Sequence, residues 1–555
     1  MTSQRYLIIG GVAGGMSAAT RLRRLDEHAQ ITVLERGGYV SFANCGLPYY
    51  LGGVIEERSS LLLQTPESLG SRFGLDVRVL TEAVAIDRAA RTVTARDLAT
   101  GDETVLPYDA LVLSPGSVPI RPPMEGGDRT LTLWNIDDVD TAMARLEVQP
   151  RTALVIGAGF IGLEMVENLV HRGLEVTLVE LAEQVLPPID PEMAGPVAQR
   201  LIDAGVDVRL GTRVVAIGAD TATLSDGSTV PAEFVLGSVG VRPETSLAAA
   251  AGLELGERGG IRVDEHLRTS DPHIWAIGDA VEKVDAITGE PRIVALAGLA
   301  NRHGRLAADA ITGREIRVRD ALGTAVVGVM GLTVATTGWN EKLLRARGRD
   351  IRVFHTHPAS HTGYYPGAEG MSLKLLVDAG TDAILGAQGV GGEGVDKRID
   401  VIATAMAGGL TASELADLEL AYAPQYSSAK DPVNMLGYVA MNAADGLTPS
   451  IQWHEVDAAV DAGATVLDVR NPGEVADGAI PGSLRIPLDE LRDRLDELPE
   501  GRLIVHCKVG QRGHTAVRLL AQHGRDAVNL DGGYLTWKAG IDARELVADA
   551  AELAA

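Results

Sequence analysis

Two stretches of the sequence repeat one pattern, an apolar strand, a glycine turn, a helix and a second apolar strand. That repetition constrains the fold more than any other feature. The cleaner copy is "TALVIGAGFIGLEMVENLVHRGLEVTLVE", with Gly157, Gly159 and Gly162 in G-x-G-x-x-G register and Glu180 closing the second strand. The first glycine makes the turn, the second lets backbone approach a pyrophosphate, and the third lets helix pack on strand, leaving the helix N-terminus to hold the anion. The other copy reads "YLIIGGVAGGMSAATRLRRL" and then "ITVLERG"; Gly10 and Gly15 keep the outer positions while Val12 stands in the middle one. Glu35 ends its second strand near the spacing at which a carboxylate meets a ribose diol. Two such units predict α/β nucleotide-binding domains and two bound dinucleotides.

At 555 residues the chain exceeds one hydrophobic core, and roughly 100–200 residues per domain predicts three to five units. The net charge of −25 repels phosphate backbones and anionic lipid, which disfavours nucleic-acid or membrane-surface binding as a global activity. Residues 321–340, "ALGTAVVGVMGLTVATTGWN", are uncharged and approach membrane-span length. Their glycines, threonines and β-branched residues predict buried strands and turns instead. "LVLSPGS" ends a buried strand at Ser114, and "IWAIGDAVE" places Gly278 and Asp279 where a strand end meets a helix start. Asp279 is expected to accept from a ribityl or ribose hydroxyl, to cap the helix, or both. A polar stretch at "NAADGLTPSIQW" predicts a linker over residues 444–451, after which a separate α/β pattern begins.

The two cysteines, Cys45 and Cys507, are far too few and too far apart for a disulfide framework, and their usage fits a reducing cytosol. Cys45 lies in "YVSFANCGLPYYLGG" with no second cysteine nearby. A thiol just ahead of a short helix is expected to be a low-pKa thiolate, the form that attacks sulfur. "HTHPASH" sets His355 and His357 on one strand face with His361 near; no acidic or cysteine ligand accompanies them in sequence, and no metal is expected there.

These residues, with "HTGYYPGA", "GVDKRID" and "AYAPQYSSAKDPVNMLGY", resemble the flavin-dependent coenzyme A-disulfide reductases across residues 1 to about 443. The remainder, "LDVRNPGEVADGAIPGSLRIPL" and the loop "CKVGQRG", resembles a rhodanese domain, so the fusion resembles the rhodanese-linked members, which include NADH-dependent persulfide reductases. The resemblance implies an FAD-binding domain from residues 1–114 and 241–318, an NAD(P)-binding domain at 115–240, an α+β dimerisation domain at 319–443 and a rhodanese domain at 452–545. It implies FAD and NADH or NADPH as cofactors, held by Gly10, Val12, Ala13, Gly15, Glu35, Arg36, Val84, Ser114, Gly116, Gly278 and Asp279 and by Gly157, Gly159, Gly162, Glu164 and Glu180.

In that family the lone cysteine forms a mixed disulfide with coenzyme A, which assigns this role to Cys45 and makes coenzyme A a substrate or covalent adduct. Ser17, Arg21 and Arg24 on the first helix, with Ser41, Asn44, Asn301 and Lys430, are implied to meet it, Asn301 standing where family members often have histidine. Tyr364 and Tyr422 match two tyrosines that reach a partner subunit's active site, implying a homodimer with shared sites in which a phenol protonates a leaving thiolate. In the rhodanese loop, successive N–H groups from Cys507 to Arg512 form an anion nest, which makes Cys507 a carrier of sulfane sulfur and Arg512 its support. Two other readings fit a lone thiol. One is an NADH oxidase or peroxidase cycling through sulfenic acid, against which stand the missing histidine at Val12-Ala13, the basic helix face and the rhodanese domain. The other is an electron-transfer or redox-sensing flavoprotein that docks a protein partner.

Overall fold

A computed structural model describes residues 3–553. The chain forms two compact units, one of Met1–Val179 with Val214–Gly323 and one of Glu180–Arg213 with Thr324–Ala555. Among the described residues no helix is long and apolar enough to cross a membrane.

The first unit is built on two parallel sheets. In one, the strands run Ile274–Ala276, Ala110–Leu113, Arg5–Ile9, Gln30–Leu34, Asp76–Arg78. Residues 6–9 of its strand Arg5–Ile9 are a continuous buried run because both faces are covered there. Helix α1 (Ala13–Leu25) packs against helix α5 (Ala297–Ile311), where a Cβ added at Gly304 would lie 2.2 Å from the Gly14 carbonyl oxygen. In the other sheet Thr152–Ile156 lies between Glu175–Val179 and Phe234–Gly237. From it springs α3 (Phe160–His171), which packs on the short α2 (Leu47–Gly52).

The second unit carries an antiparallel sheet in the order Ala325–Val329, Leu332–Gly338, Ile384–Gly391, Met371–Asp378, Ile351–Thr356. The uncharged stretch 321–340 is thus a hairpin, turned at Met330 and Gly331, both with positive φ as a tight right-twisted hairpin requires. A parallel sheet follows, Ser450–Ile451, Ala527–Leu530, Leu503–His506, Thr465–Asp468, Leu484–Arg485, with apolar cores on both faces. Ser450–Ile451 is already a strand of this sheet, and the helix before it runs to Ala444. The same unit holds α4 (Pro191–Asp203), α6 (Gln511–Gln522) and α7 (Gly533–Leu553), with α4 packed on α7.

Candidate active site

Each glycine turn is tight for a stated reason. Gly10 has φ +101°, and a Cβ on Gly15 would lie 1.8 Å from the Gly10 carbonyl oxygen. Gly157 has φ +102°, and a Cβ on Gly162 would lie 1.9 Å from the Gly157 oxygen. Helices α1 and α3 begin at Val12 and Gly159 with no side-chain cap, leaving the first-turn N–H groups of Ala13 and its successors for an anion; the space beside Gly159 is open. Glu35 accepts from the Gly11 and Gly37 N–H groups, each at 2.7 Å, while burial raises its carboxyl above the ordinary range. Arg36 beside it is exposed, and Val84 sits in a bulge between Thr81–Asp87 and Thr92–Asp97. These uncapped helix starts, with a carboxylate at the strand end, fit the phosphates and ribose of a dinucleotide.

Ser114 closes its strand by donating its N–H to Ile9, and Gly116 follows with φ +74°. Asp279 lies inside a one-turn helix, Gly278–Ala280, whose cap position is Ile277. The N-cap reading of Asp279 is therefore corrected: its carboxylate accepts from Ser117 at 3.3 Å, and burial raises its pKa. Lys283, not anticipated from sequence, donates to the Gly278 and Val281 carbonyls and is pushed down to about 8 by burial, Asp279 opposing.

The Ser41 N–H donates to the Gly11 carbonyl, tying the thiol segment to the first glycine turn with Ser41 at φ 49°. Cys45 follows on the turn Asn44–Gly46 that leads into α2, and is exposed. Asn44 donates its amide to the Trp134 carbonyl. The expectation of a low-pKa thiolate is not met by the protein's own groups. Although Cys45 as a whole is exposed, partial desolvation of the thiol, then the carboxylates of Glu164 and Asp279, push it up, and the backbone at the helix start offsets only part. Tyr49, on α2, donates to Glu164 on α3 at 3.1 Å; burial and this carboxylate push Tyr49 up to about 12. Tyr49 was invisible to motif reading because its partner belongs to the other glycine unit.

The basic face of α1 is less free than its sequence suggests. Arg21 pairs with Asp309 at 2.7 Å, Ser17 donates to Asn301 at 2.7 Å, and Arg24 is exposed. The pairing leaves Arg24 the more accessible of the two arginines.

In the second unit Glu180 accepts from the Ala182 N–H at 2.8 Å. Tyr364 and Tyr422 share a hydrogen bond of 2.8 Å on an exposed face, 74% and 47% exposed, with Tyr365, Tyr426 and Lys430 also exposed. Cys507 is buried at the end of Leu503–His506. Its loop turns at Gly510, φ +87°, into α6, and Tyr534 donates its N–H to the Cys507 carbonyl at 2.8 Å. Arg512 is held by Glu474 through two hydrogen bonds, the nearer at 2.5 Å; these, and the attraction of Cys507, raise the guanidinium, while Glu474 falls to about 2. Glu474 is a third unanticipated residue.

The histidines of "HTHPASH" have other engagements. His355 lies between Asp531 and Glu192, and His357 between Ser372 and Thr536. Asp190, Glu192 and Glu341 converge closely enough to bind a cation, and Lys374 is that cation, its ammonium 2.9, 2.5 and 2.7 Å from them.

Two uncapped glycine-turn helices and a lone thiol beside one of them define a two-dinucleotide oxidoreductase acting at sulfur. The pyridine nucleotide-disulphide oxidoreductase family model matches residues 4–304, that family's dimerisation-domain model residues 324–432, and the rhodanese-like domain model residues 452–540. The chain belongs to the pyridine nucleotide-disulphide oxidoreductases, and is an enzyme dependent on FAD and a pyridine nucleotide with a C-terminal rhodanese domain. It is 34% identical to the coenzyme A disulfide reductase of Staphylococcus haemolyticus over 79% of this chain and 99% of that protein. Among solved structures it is similar to reduced CoADR-RHD of Bacillus anthracis, at 48% identity and TM-score 0.96 over 98% of this chain and 99% of that one. It is also similar to a NAD-dependent persulfide reductase from A. fulgidus, at 38% identity and TM-score 0.91 over 96% of this chain and all of that one.

Proposed function

We propose that the protein reduces coenzyme A disulfide, coenzyme A persulfide or polysulfide with electrons from NADH, through Cys45. The observation that carries this reading is that Cys45 is the sole cysteine of its unit, on a turn hydrogen-bonded to the first glycine turn. It can form a disulfide only with sulfur brought by something else. The relatives named as coenzyme A disulfide reductases and as a persulfide reductase support the substrate class.

The Cys45 thiolate attacks a coenzyme A disulfide, forming the mixed disulfide and releasing one coenzyme A thiolate. Two electrons and a proton then return Cys45 to thiolate and free the second thiol. With a persulfide, attack on the inner sulfur releases hydrogen sulfide in place of the first thiol. FAD, when bound, relays the two electrons from the nicotinamide. Gly10, Val12, Gly15, Glu35 and Asp279 hold the FAD, Gly157, Gly159, Gly162, Glu164 and Glu180 the nicotinamide dinucleotide. Ser17, Arg24, Ser41, Asn44, Asn301 and Lys430 meet coenzyme A, with Arg21 shared with Asp309. Tyr364 and Tyr422 act across a homodimer, protonating the leaving thiolate. Cys507, in its nest with Arg512, carries sulfane sulfur to be passed to Cys45, leaving the Cys507 thiolate and a Cys45 persulfide. The domain limits are those implied by the sequence, with FAD held by 1–114 and 241–318, and the setting is the cytosol.

Mass spectrometry of the protein as purified tests the assignment. A coenzyme A adduct on Cys45, removed by NADH, is the expected result; an oxygen adduct formed and reduced at Cys45, with no turnover of coenzyme A disulfide, would make the protein an oxidase or peroxidase instead.

A further inference from the structure

His355 is buried on strand Ile351–Thr356, directly opposite Lys374 in the neighbouring strand. Its Nδ1 lies 2.6 Å from the Asp531 carboxylate and its Nε2 3.0 Å from that of Glu192. A ring with a carboxylate at each nitrogen carries a proton on both, so it is an imidazolium. The other groups around it have partners of their own. Lys374 is bound by Glu192, Glu341 and Asp190, Glu341 also takes Arg345, and Asp190 accepts from Gln388 and from the N–H groups of Glu341 and Lys342. Asp531 has no such second cation among the described residues: besides His355 it meets the Gln452 amide at 3.4 Å. Losing the His355 proton would leave a buried carboxylate without a counter-charge.

Asp531 is also where the rhodanese thiol loop is braced. It opens "DGGY", and Gly532 and Gly533 both have φ +65°. A Cβ on Gly532 would lie 2.8 Å from the His355 Cβ, and one on Gly533 would lie 2.6 Å from the Cys507 carbonyl oxygen and the Gly510 nitrogen. Tyr534 and Leu535 then donate their N–H groups to the carbonyls of Cys507 and Lys508. Two further bonds cross the same seam without needing a charge, His357 to Thr536 at 2.7 Å and Gln452 to the Val353 carbonyl at 3.1 Å, and Ser372 anchors His357 on the sheet side at 2.9 Å.

We propose that His355 is a proton-dependent pin, a positioning residue that holds the thiol loop of Cys507 in register with the dimerisation sheet, and that sulfur delivery from Cys507 depends on it. The delivery part rests on the reading of Cys507 as a sulfur carrier; the pin does not. Burial works against the charge on His355, but the hydrogen bonds to Asp531 and Glu192 raise it to about 9. His357 is pushed down to about 3 by burial and by the charge of His355, so it stays neutral and holds its bonds at every working pH. The sign follows from linkage: a histidine whose pKa is raised by its partners contributes its full stabilisation below the ordinary value near 6.5, and loses it as pH rises through about 9.

The test uses full-length FAD-loaded protein, with three variants, His355→Gln, Asp531→Asn and Cys507→Ser. Amide hydrogen exchange, corrected for its intrinsic pH dependence, reads the pin directly. Protection of residues 532–535 should fall as pH passes about 9 in the parent, at lower pH in Asp531→Asn, and be weak throughout in His355→Gln. Parental protection in both variants, or a parent insensitive to pH between 7 and about 10, would overturn the pin. NADH turnover with thiosulfate-loaded Cys507, divided by turnover with coenzyme A disulfide in the same sample, reads delivery. That ratio should fall about tenfold in His355→Gln, with sulfur transfer from Cys507 to a small free thiol retained. A ratio unchanged by Cys507→Ser would remove the carrier reading while leaving the exchange result to decide the pin. A ratio lowered by Cys507→Ser but not by His355→Gln would overturn the delivery role.

Discussion

Behind burial, the carboxylates of Glu164 and Asp279 raise the thiol of Cys45, whereas Cys507 is among the groups that raise the Arg512 guanidinium, so the two cysteines of one chain have neighbours of opposite charge. Replacing Cys45 by Ser should abolish NADH-driven reduction of every disulfide and persulfide, while flavin stays bound and thiosulfate sulfurtransferase activity persists. Replacing Cys507 by Ser should remove the sulfurtransferase activity and spare coenzyme A disulfide reduction. Both are read by assaying the two reactions side by side; parental NADH consumption by the Cys45 variant with persulfide would refute the assignment. Because Glu164 stands second to burial among the causes that raise Cys45, Glu164→Gln should move the thiol's titration to lower pH. The rate of alkylation by iodoacetamide against pH measures this, and an unmoved midpoint would mean that Glu164 does not contribute. Glu180 argues for NADH, since a carboxylate accepts from a ribose 2′-hydroxyl and repels a 2′-phosphate; kcat/KM for the two nucleotides should favour NADH. That Cys45 stands without a neighbouring cysteine was legible in the sequence. Its surroundings were not, since Glu164 and Asp279 reach it only through the packing of α3 and of the turn at Gly278.

Among the elements, the glycine turns were the most legible, because positive φ and close backbone approach leave glycine as the residue that fits. The consequence can be measured on one helix. In α5, a Cβ at Gly304 would press on the Gly14 carbonyl oxygen at 2.2 Å and on the Ala18 nitrogen at 3.0 Å, backbone atoms of α1 that cannot give way, while at Gly298 nothing lies within 4 Å. Gly304→Ala should therefore destabilise the protein by about 1–3 kcal/mol and, on the proposal that FAD is held at the first glycine turn, loosen the flavin. Gly298→Ala should be neutral or stabilise by up to about 1 kcal/mol, as helix propensity dictates. Denaturant melts followed by flavin fluorescence check both, and equal effects would mean the α1–α5 contact is softer than its geometry. Of the two roles open to Asp279, hydroxyl acceptor and cap, the structure removes the cap, which the sequence left open because a strand end followed by Gly-Asp reads alike whether the helix starts before or after the aspartate. The end of the polar linker was also set too late, since Ser450–Ile451 is too short to show a strand period yet pairs with Asn529–Leu530.

At the scale of the whole molecule, motifs suggested segments along the chain, but the grouping of the chain into two compact units was not legible in them. Glu180–Arg213 is compact with Thr324–Ala555 because α4 packs on α7 and because Asp190 and Glu192 close around Lys374. No sequence pattern ties a lysine in one domain to acids in another. The assembly offers the sharpest test of the proposed function. Tyr364 and Tyr422 lie hydrogen-bonded on an exposed face of their own chain, where a phenol has little to do unless another subunit brings a site to it. Cys45→Ser subunits keep both tyrosines; subunits carrying Tyr364→Phe with Tyr422→Phe keep the thiol. Each homodimer should be nearly inactive, the second by about 100-fold or more if the phenols protonate the leaving thiolate. In a two-fold hybrid with sites shared across the interface, one site combines both defects and the other combines the intact thiol with the intact phenols. Random reassortment makes about half the dimers hybrids with one good site of two, so the mixture should recover about a quarter of parental activity. If the tyrosines act within their own chain, no hybrid contains a whole site and mixing recovers nothing. Dissociating the two variants together at low concentration, reassociating them and measuring NADH-driven coenzyme A disulfide reduction separates the outcomes, with native mass spectrometry counting the hybrids.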